Sequence, residues 1–75
     1  MKNAQQMANE LFAITAFSAM AIETEAEAIE KAIEVTVTSL YENGVPLIMI
    51  GAIIDVAKRN ILNKIREYES IRFGG

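Results

Sequence analysis

The chain has 75 residues, of which 52% are hydrophobic, and it contains no cysteine and no histidine. Disulfides, thiolate or imidazole metal sites, and any mechanism that needs a histidine base or a cysteine nucleophile are therefore excluded. The formal net charge of -3 argues against a nucleic-acid-binding domain, because such domains normally present a strongly basic surface.

The first predicted helix covers residues 3–22. One of its faces carries residues at helical spacing, namely Met7, Leu11, Ile14, Ser18 and Ile22. The rest of its circumference is also apolar and adds Phe12, Phe17 and Met20. Because a helix that is apolar on all sides is normally buried, we expect neighbouring helices to enclose this one.

The second predicted helix covers residues 25–42. Thr24 and Glu27 have the spacing of a capping box, in which each side chain accepts a hydrogen bond from the other residue's backbone N–H. Its inward face is expected to carry apolar residues at helical spacing: Ala26, Ile29, Ile33, Val37 and Leu40. Gly44 follows this pattern, and a glycine there readily adopts the left-handed conformation that ends a helix.

The third predicted helix covers residues 46–71 and begins at Pro46, whose missing N–H costs nothing in a first turn. Apolar residues recur along it at helical spacing: Leu47, Ile50, Ile54, Ala57, Ile61, Ile65 and Tyr68. Gly51 is expected to allow close packing of a neighbouring helix. The helix would be roughly 38 Å long, so we expect its far end to pack on another copy of the chain.

These elements predict an all-α fold in a single domain that spans residues 1–75. It is a three-helix domain, with a long antiparallel hairpin of helices 2 and 3 and an apolar N-terminal helix packed across it. A domain this short has a narrow stability margin, and oligomerisation is the remaining source of support, so we expect a homo-oligomer. The interface is expected to use apolar side chains of helices 1 and 3: Leu11, Phe12, Phe17, Met20, Ile50, Ile54, Ile61 and Ile65.

Two uncharged runs, residues 11–22 and 45–54, raise the question of a membrane role. A spanning helix needs roughly 20 apolar residues, and runs of about 10 to 14 are more typical of buried core helices. The first run also lacks the basic flank of a signal peptide, because Glu10 precedes it. We therefore expect no membrane association, and the absence of cysteine fits the reducing cytoplasm.

Acidic residues are concentrated in the first half of the chain. Four of them lie on one side of helix 2: Glu23, Glu27, Glu30 and Glu34. In an antiparallel hairpin, Glu30 would lie near Arg59. Glu23 would likewise lie near Arg66, which indicates charge complementarity between helices or subunits. A carboxylate metal site is the weaker interpretation, because hard cations normally need ligands from several elements, and we expect no metal or cofactor.

Basic residues are concentrated in the second half of helix 3. The candidate residues for binding a ligand or partner are Arg59, Lys64, Arg66 and Tyr68. The cations among them suit an anionic group, which they would hold by charge-assisted hydrogen bonds. No catalytic residue is assigned, because the three serines have no candidate activating base and the isolated glycines form no phosphate-binding loop.

The function indicated by small size and the lack of catalytic residues is a non-enzymatic, homo-oligomeric, protein-binding regulator or inhibitor. Such proteins are common among phages and mobile elements. The alternative is an oligomer that sequesters an anionic small molecule, such as a nucleotide, with basic residues of helix 3 from adjacent subunits. A nucleic-acid-binding module is the third hypothesis, and the net charge argues against it.

Overall fold

Three α-helices form the fold, and the computed structural model describes residues 2–74. They are α1 (Ala4–Ala19), α2 (Glu25–Glu42) and α3 (Leu47–Glu69), and a π-helical turn (Ser70–Gly74) follows α3. The described residues include no β-strand. The predicted all-α class is therefore confirmed, and α2 has the limits that the sequence predicts.

Local hydrogen bonds set the two ends of α1. The Gln6 N–H donates to Asn3 Oδ1 at 2.9 Å and the Asn3 N–H donates to Gln6 Oε1 at 3.0 Å, so a capping box starts this helix as well. The helix ends at Ala19 rather than at residue 22, because the N–H groups of Ala21 and Ile22 donate to carbonyls three residues back, those of Ser18 and Ala19, in place of the α-helical spacing of four. This turn reverses the chain before α2.

The predicted capping box at the start of α2 is confirmed. The Glu27 N–H donates to Thr24 Oγ1 at 3.2 Å, and the Thr24 hydroxyl and N–H donate to Glu27 Oε1 at 2.7 and 3.4 Å. Both hydrogen bonds from Thr24 lower the pKa of the Glu27 carboxyl below its ordinary value, and the bond from the hydroxyl has a larger effect than the bond from the N–H. At the other end, Gly44 has a φ of +83° and the Val45 N–H donates to the Leu40 carbonyl at 3.0 Å, which closes the helix.

The three helices pack with α1 in contact with both of the others. Near one end, Gln5 Nε2 donates to the Ile53 carbonyl at 3.0 Å, and near the other end Met20 and Tyr68 line a common cavity. α1 and α3 are therefore parallel, and α2 runs antiparallel to both. α1 contacts α2 and α3 more extensively than they contact each other, so the hairpin of helices 2 and 3 is a lesser contact than predicted.

The core consists of small and branched apolar side chains. Its members are Ala8, Phe12, Ala16, Ile29, Ala32, Leu40, Ile50, Ile53, Ile54, Ala57 and Ile61. Phe12 has 0% of its surface exposed and is the largest apolar side chain among the fully buried ones. The alanines of α1 and α2 allow the two helices to pack closely on this side.

The buried side of α1 carries Phe12 rather than the residues that recur at helical spacing from Met7 to Ile22. Met7, Ile14 and Ile22 are exposed, whereas Phe12 and the alanines on its side are buried. Both sides of this helix are apolar, so hydropathy does not distinguish them, and the small residues decide which side lets α2 and α3 approach. The expectation that neighbouring helices enclose α1 is therefore wrong for the described part of a single chain.

The predicted inward face of α3 is buried in its middle and exposed at its ends, whereas that of α2 is exposed only at its start and is buried or half-buried from Ile29 to Leu40. Ala26 near the start of α2 is exposed, as are Leu47 and Tyr68 at the two ends of the α3 face. α3 has 23 residues and α1 has 16, so α3 extends beyond its neighbour, in a molecule that measures 43 × 23 × 21 Å. The packing of this extension against another copy stays a prediction.

Candidate interaction surfaces

Exposed apolar side chains dominate the chemistry of the surface. Twelve large ones are exposed in the described part of the chain: Met7, Ile14, Phe17, Ile22, Val35, Tyr41, Leu47, Ile48, Met49, Val56, Tyr68 and Ile71. A single exposed apolar residue is ordinary, but a contiguous group of them marks an interaction site. Three groups of this kind are present.

The first group is the outer side of α1, opposite Phe12, and we call it the α1 outer face. It comprises Met7, Leu11, Ile14 and Ile22, with Val35 of α2 beside it. Ile14 is 66% exposed and lines two cavities of about 310 and 380 Å³. Met7 and Leu11 also line the first cavity, together with the charged Lys2 and Glu10, and Ile22 lines the second together with Lys31, so Ile14 lies between two neighbouring cavities. Residues 11–22 include no charged side chain.

The second group is the first turn of α3. Leu47, Ile48 and Met49 follow one another and are all exposed, Ile48 by 91%. The nearest charged residues in the sequence are Glu42 and Asp55, and both are acidic. The first turn of α3 therefore lies within an uncharged stretch, residues 43–54.

The third group lies where the ends of all three helices meet. Phe17, Met20, Ile65 and Tyr68 line a cavity of about 480 Å³ there. The charged residues that line it are Glu25, Glu69 and Arg72. Its volume is in the range of small-molecule pockets, and its charges are mixed, so it has no strong preference for anions.

The residues predicted for an oligomer interface are divided between the core and the surface. Phe12, Ile50, Ile54 and Ile61 are buried within the single chain. Leu11, Met20 and Ile65 are half-buried, and Phe17 is exposed. The four core residues are already covered by their own chain, so a second copy could reach them only if the fold opened. Of the predicted interface residues in α1, Leu11 and Phe17 remain accessible to a second copy.

The residues predicted to bind a ligand or partner are all exposed, but they do not form one site. Lys64 and Tyr68 line a cavity of about 420 Å³ with Phe17. Arg59 and Arg66 are seven residues apart, on the side of α3 that faces away from the core. One chain therefore does not bring the three cations together, and a shared anion pocket would need residues of an adjacent subunit.

The predicted ion pairs between α2 and α3 do not form. Glu23, which lies just before α2, instead forms an ion pair with Lys31 of α2, with 3.1 Å between Glu23 Oε1 and Lys31 Nζ. Lys2 forms an ion pair with Glu10, with 2.6 Å between Lys2 Nζ and Glu10 Oε2. Over residues 2–74 neither Arg59 nor Arg66 has an ion-pair partner. α2 and α3 contact each other less than either contacts α1, and Arg59 and Arg66 are exposed on the side of α3 that faces away from the core.

Two further features concern metals and membranes. In the part of the chain that the structure describes, no three carboxylates are grouped so that they could hold a metal ion. Glu27, one of the four acidic residues predicted to share one side of helix 2, is engaged in the capping box with Thr24. No helix among the described residues combines the length and the apolar content needed to cross a bilayer.

The chain matches no known protein family, no curated protein and no solved structure at a significant level. Function is therefore inferred from the surfaces themselves.

The exposed first turn of α3 is the surface feature that the sequence pattern misplaced. Gly51 was expected to allow a neighbouring helix to approach. No helix of the same chain does so, because a Cβ built on Gly51 would have no atom within 4 Å, and an approach by another copy stays a prediction. The feature of the sequence that marks this segment is the run of residues 45–54, which has no charge and begins just after the turn at Gly44. Such a run is typical of a buried segment, and here only its inward-facing members are buried.

Proposed function

We propose that the protein is a non-enzymatic, homo-oligomeric module that regulates or inhibits another protein by binding it. The observation that carries the proposal is the α1 outer face, which remains uncovered in the single chain. Each Å² of apolar surface that leaves water contributes about 25 cal/mol. A small domain gains proportionally more from this than a large one, because its own core is limited.

A second copy of the chain fits the α1 outer face because the face is complementary to itself. In an antiparallel pair centred on Ile14, each Ile14 would meet its counterpart, and Leu11 would meet Phe17 of the other chain. Glu10 would lie opposite Ser18, so the seam would contain no pair of like charges. Such a two-fold contact closes on itself and forms a dimer without further growth.

The test of self-association is Ile14→Glu, with Tyr41→Glu as the matched control. The two side chains have similar exposure, 66% and 61%, so neither change should disturb the fold of one chain. We expect Ile14→Glu to weaken self-association by about a hundredfold or more, because it would bury unpaired carboxylates in the seam. Sedimentation velocity with both variants measures this. Equal assembly of the two variants, or a monomeric parent protein, would count against the proposal.

Binding of another protein is proposed for the first turn of α3. Leu47 and Met49 are exposed there within the uncharged residues 43–54, which suits an apolar groove on the partner. Leu47→Asn together with Met49→Asn should reduce co-purification of a partner while leaving the mass of the homo-oligomer unchanged. If the partner is retained by this variant and by wild type alike, the first turn of α3 is not its binding site.

Sequestration of an anionic small molecule is the second candidate function. The cavity of about 420 Å³ beside Lys64 and Tyr68 favours it, because an aromatic ring and a cation there could hold a base and a phosphate. A thermal shift with ATP or another nucleotide, lost in Lys64→Gln, would support this function. No shift across a nucleotide panel leaves protein binding as the better account.

A further inference from the structure

The outward side of α3 forms a second uncovered stripe, which we call the α3 seam. Its members recur every three or four residues: Ile48, Gly51, Ala52, Asp55, Arg59 and Leu62. Leu62 is half-buried and the others are exposed. The core residues Ile50, Ile54 and Ile61 lie on the opposite side of the same helix. The α3 seam is thus turned away from α1 and α2.

The charges of the α3 seam attract those of a second copy only when the two α3 helices run antiparallel. Asp55 and Arg59 are one helical turn apart, and over residues 2–74 neither has an ion-pair partner. A parallel pair of α3 helices would place Asp55 beside Asp55 and Arg59 beside Arg59, which is repulsive. An antiparallel pair centred near residues 56 and 57 would place each Asp55 against Lys58 and Arg59 of the other copy.

The small residues of the α3 seam fit the same antiparallel register. Gly51 weakens a helix interior relative to alanine, and no atom of its own chain approaches the place of its missing Cβ. In the antiparallel register, Leu62 of the second copy would lie over Gly51 and Ala52. The absence of a side chain at Gly51 leaves room for that leucine. This contact accounts for a glycine at position 51, which the packing of one chain does not explain.

We infer that α3 pairs antiparallel with α3 of a second copy, through the α3 seam. The inference rests on the proposed homo-oligomer and adds a second contact to it. The seam from Ile48 to Leu62 is only about 21 Å long, and two of its six members are charged, so it falls short of the interface area that holds a dimer by itself. It acts on dimers already joined through the α1 outer face, and the two two-fold contacts give a closed tetramer when their axes intersect at right angles.

Charge reversal tests the ionic part of the α3 seam. Asp55→Arg and Arg59→Asp should each convert the tetramer into dimers, with the dissociation constant raised about tenfold or more. The double variant with both changes should restore the tetramer, because the opposite charges again face each other. All three proteins should keep the melting temperature of the parent's fold to within a few degrees. Native mass spectrometry and sedimentation equilibrium report the masses.

Gly51→Leu tests the packing part of the α3 seam with a variant that the fold of one chain accepts. The new side chain meets no atom of its own chain within 4 Å of its Cβ and replaces a poor helix former. We therefore expect a higher melting temperature together with loss of the tetramer. A higher melting temperature with an unchanged tetramer would overturn the inference.

The masses separate failure of this inference from failure of the proposed function. A parent dimer that Ile14→Glu dissociates, and that Asp55→Arg and Gly51→Leu leave unchanged, would overturn the α3 contact and keep the α1 contact. A monomeric parent would overturn both. A tetramer that is lost in Gly51→Leu and in either charge variant, and restored in the double variant, supports the α3 seam.

Discussion

The two sides of α1 have similar hydropathy and opposite environments. The inner side buries Phe12 among alanines, whereas the outer side exposes Met7, Ile14 and Ile22. Small residues let the neighbouring helices approach on the inner side, and the longer side chains of the outer side are left for another contact. Side-chain size thus decides which side of this apolar helix packs within the single chain, and the proposed role of the other side is assembly.

The largest expected effect is on the inner side, from Phe12→Ala. A buried aromatic ring replaced by alanine loses about 3 to 5 kcal/mol of stability, which is comparable with the whole stability of a small domain. We expect the helicity measured by circular dichroism to collapse. Ile14→Ala on the outer side should keep the helicity and weaken self-association instead. If Phe12→Ala and Ile14→Ala lost helicity to a similar extent, the inner and outer sides of α1 would not differ in their contribution to folding.

A second effect, in the opposite direction, is expected at Thr36 on the α2 surface that meets this core. Its side chain is 0% exposed and its hydroxyl has no hydrogen-bond partner among the described residues. Thr36→Val keeps the shape and removes the unpaired hydroxyl, so it should raise the free energy of unfolding by about 1 to 3 kcal/mol. Thr38→Val, at an exposed position of the same helix, is the control. Urea denaturation measures both.

The fold is also expected to lose stability in acid through Glu27. Hydrogen bonds from Thr24 lower the pKa of this carboxyl in the folded state, so its contribution is present above the unfolded pKa and is lost as the pH falls through the folded pKa. Wild type should therefore lose more stability than Glu27→Gln between about pH 5 and pH 3. Parallel urea titrations across that range check this, and identical slopes would contradict the cause assigned to the shift.

The smallest effect on stability is expected on the outward side of α3, from Arg59→Gln and Arg66→Gln combined. Neither guanidinium has an ion-pair partner within residues 2–74, so the monomer fold should change by less than about 0.5 kcal/mol. The mass should change, because Arg59 belongs to the α3 seam. A nucleotide-induced thermal shift that disappears with both arginines would instead favour the anion-binding alternative.

Local features of the fold were predictable from the sequence, and the choice of buried side was not. The capping box of Thr24 and Glu27 and the turn at Gly44 depend on residues a few positions apart, so their prediction was confirmed. The buried side of α1 depends on how α2 and α3 approach it, and hydropathy is similar all round. The pairing of Glu30 with Arg59 failed for the same reason, because it required a particular rotation of α3 about its axis.

The candidate surfaces were predictable only in part. Leu11 and Phe17 were assigned to an interface and remain accessible, whereas Phe12, Ile50, Ile54 and Ile61 belong to the core. Apolar residues at helical spacing are required by a core and by an interface alike. Their separation needs the positions of the neighbouring helices, which the sequence pattern does not contain.

The mass of the parent protein at micromolar concentration tests the central claim most directly, because we propose that a second copy covers the α1 outer face. Sedimentation equilibrium, with a thermal melt of the same sample, gives both the mass and the state of folding. We expect a multiple of the 8.3 kDa chain mass that decreases on dilution. A mass of 8.3 kDa at every concentration, with an intact cooperative melt, would contradict the account.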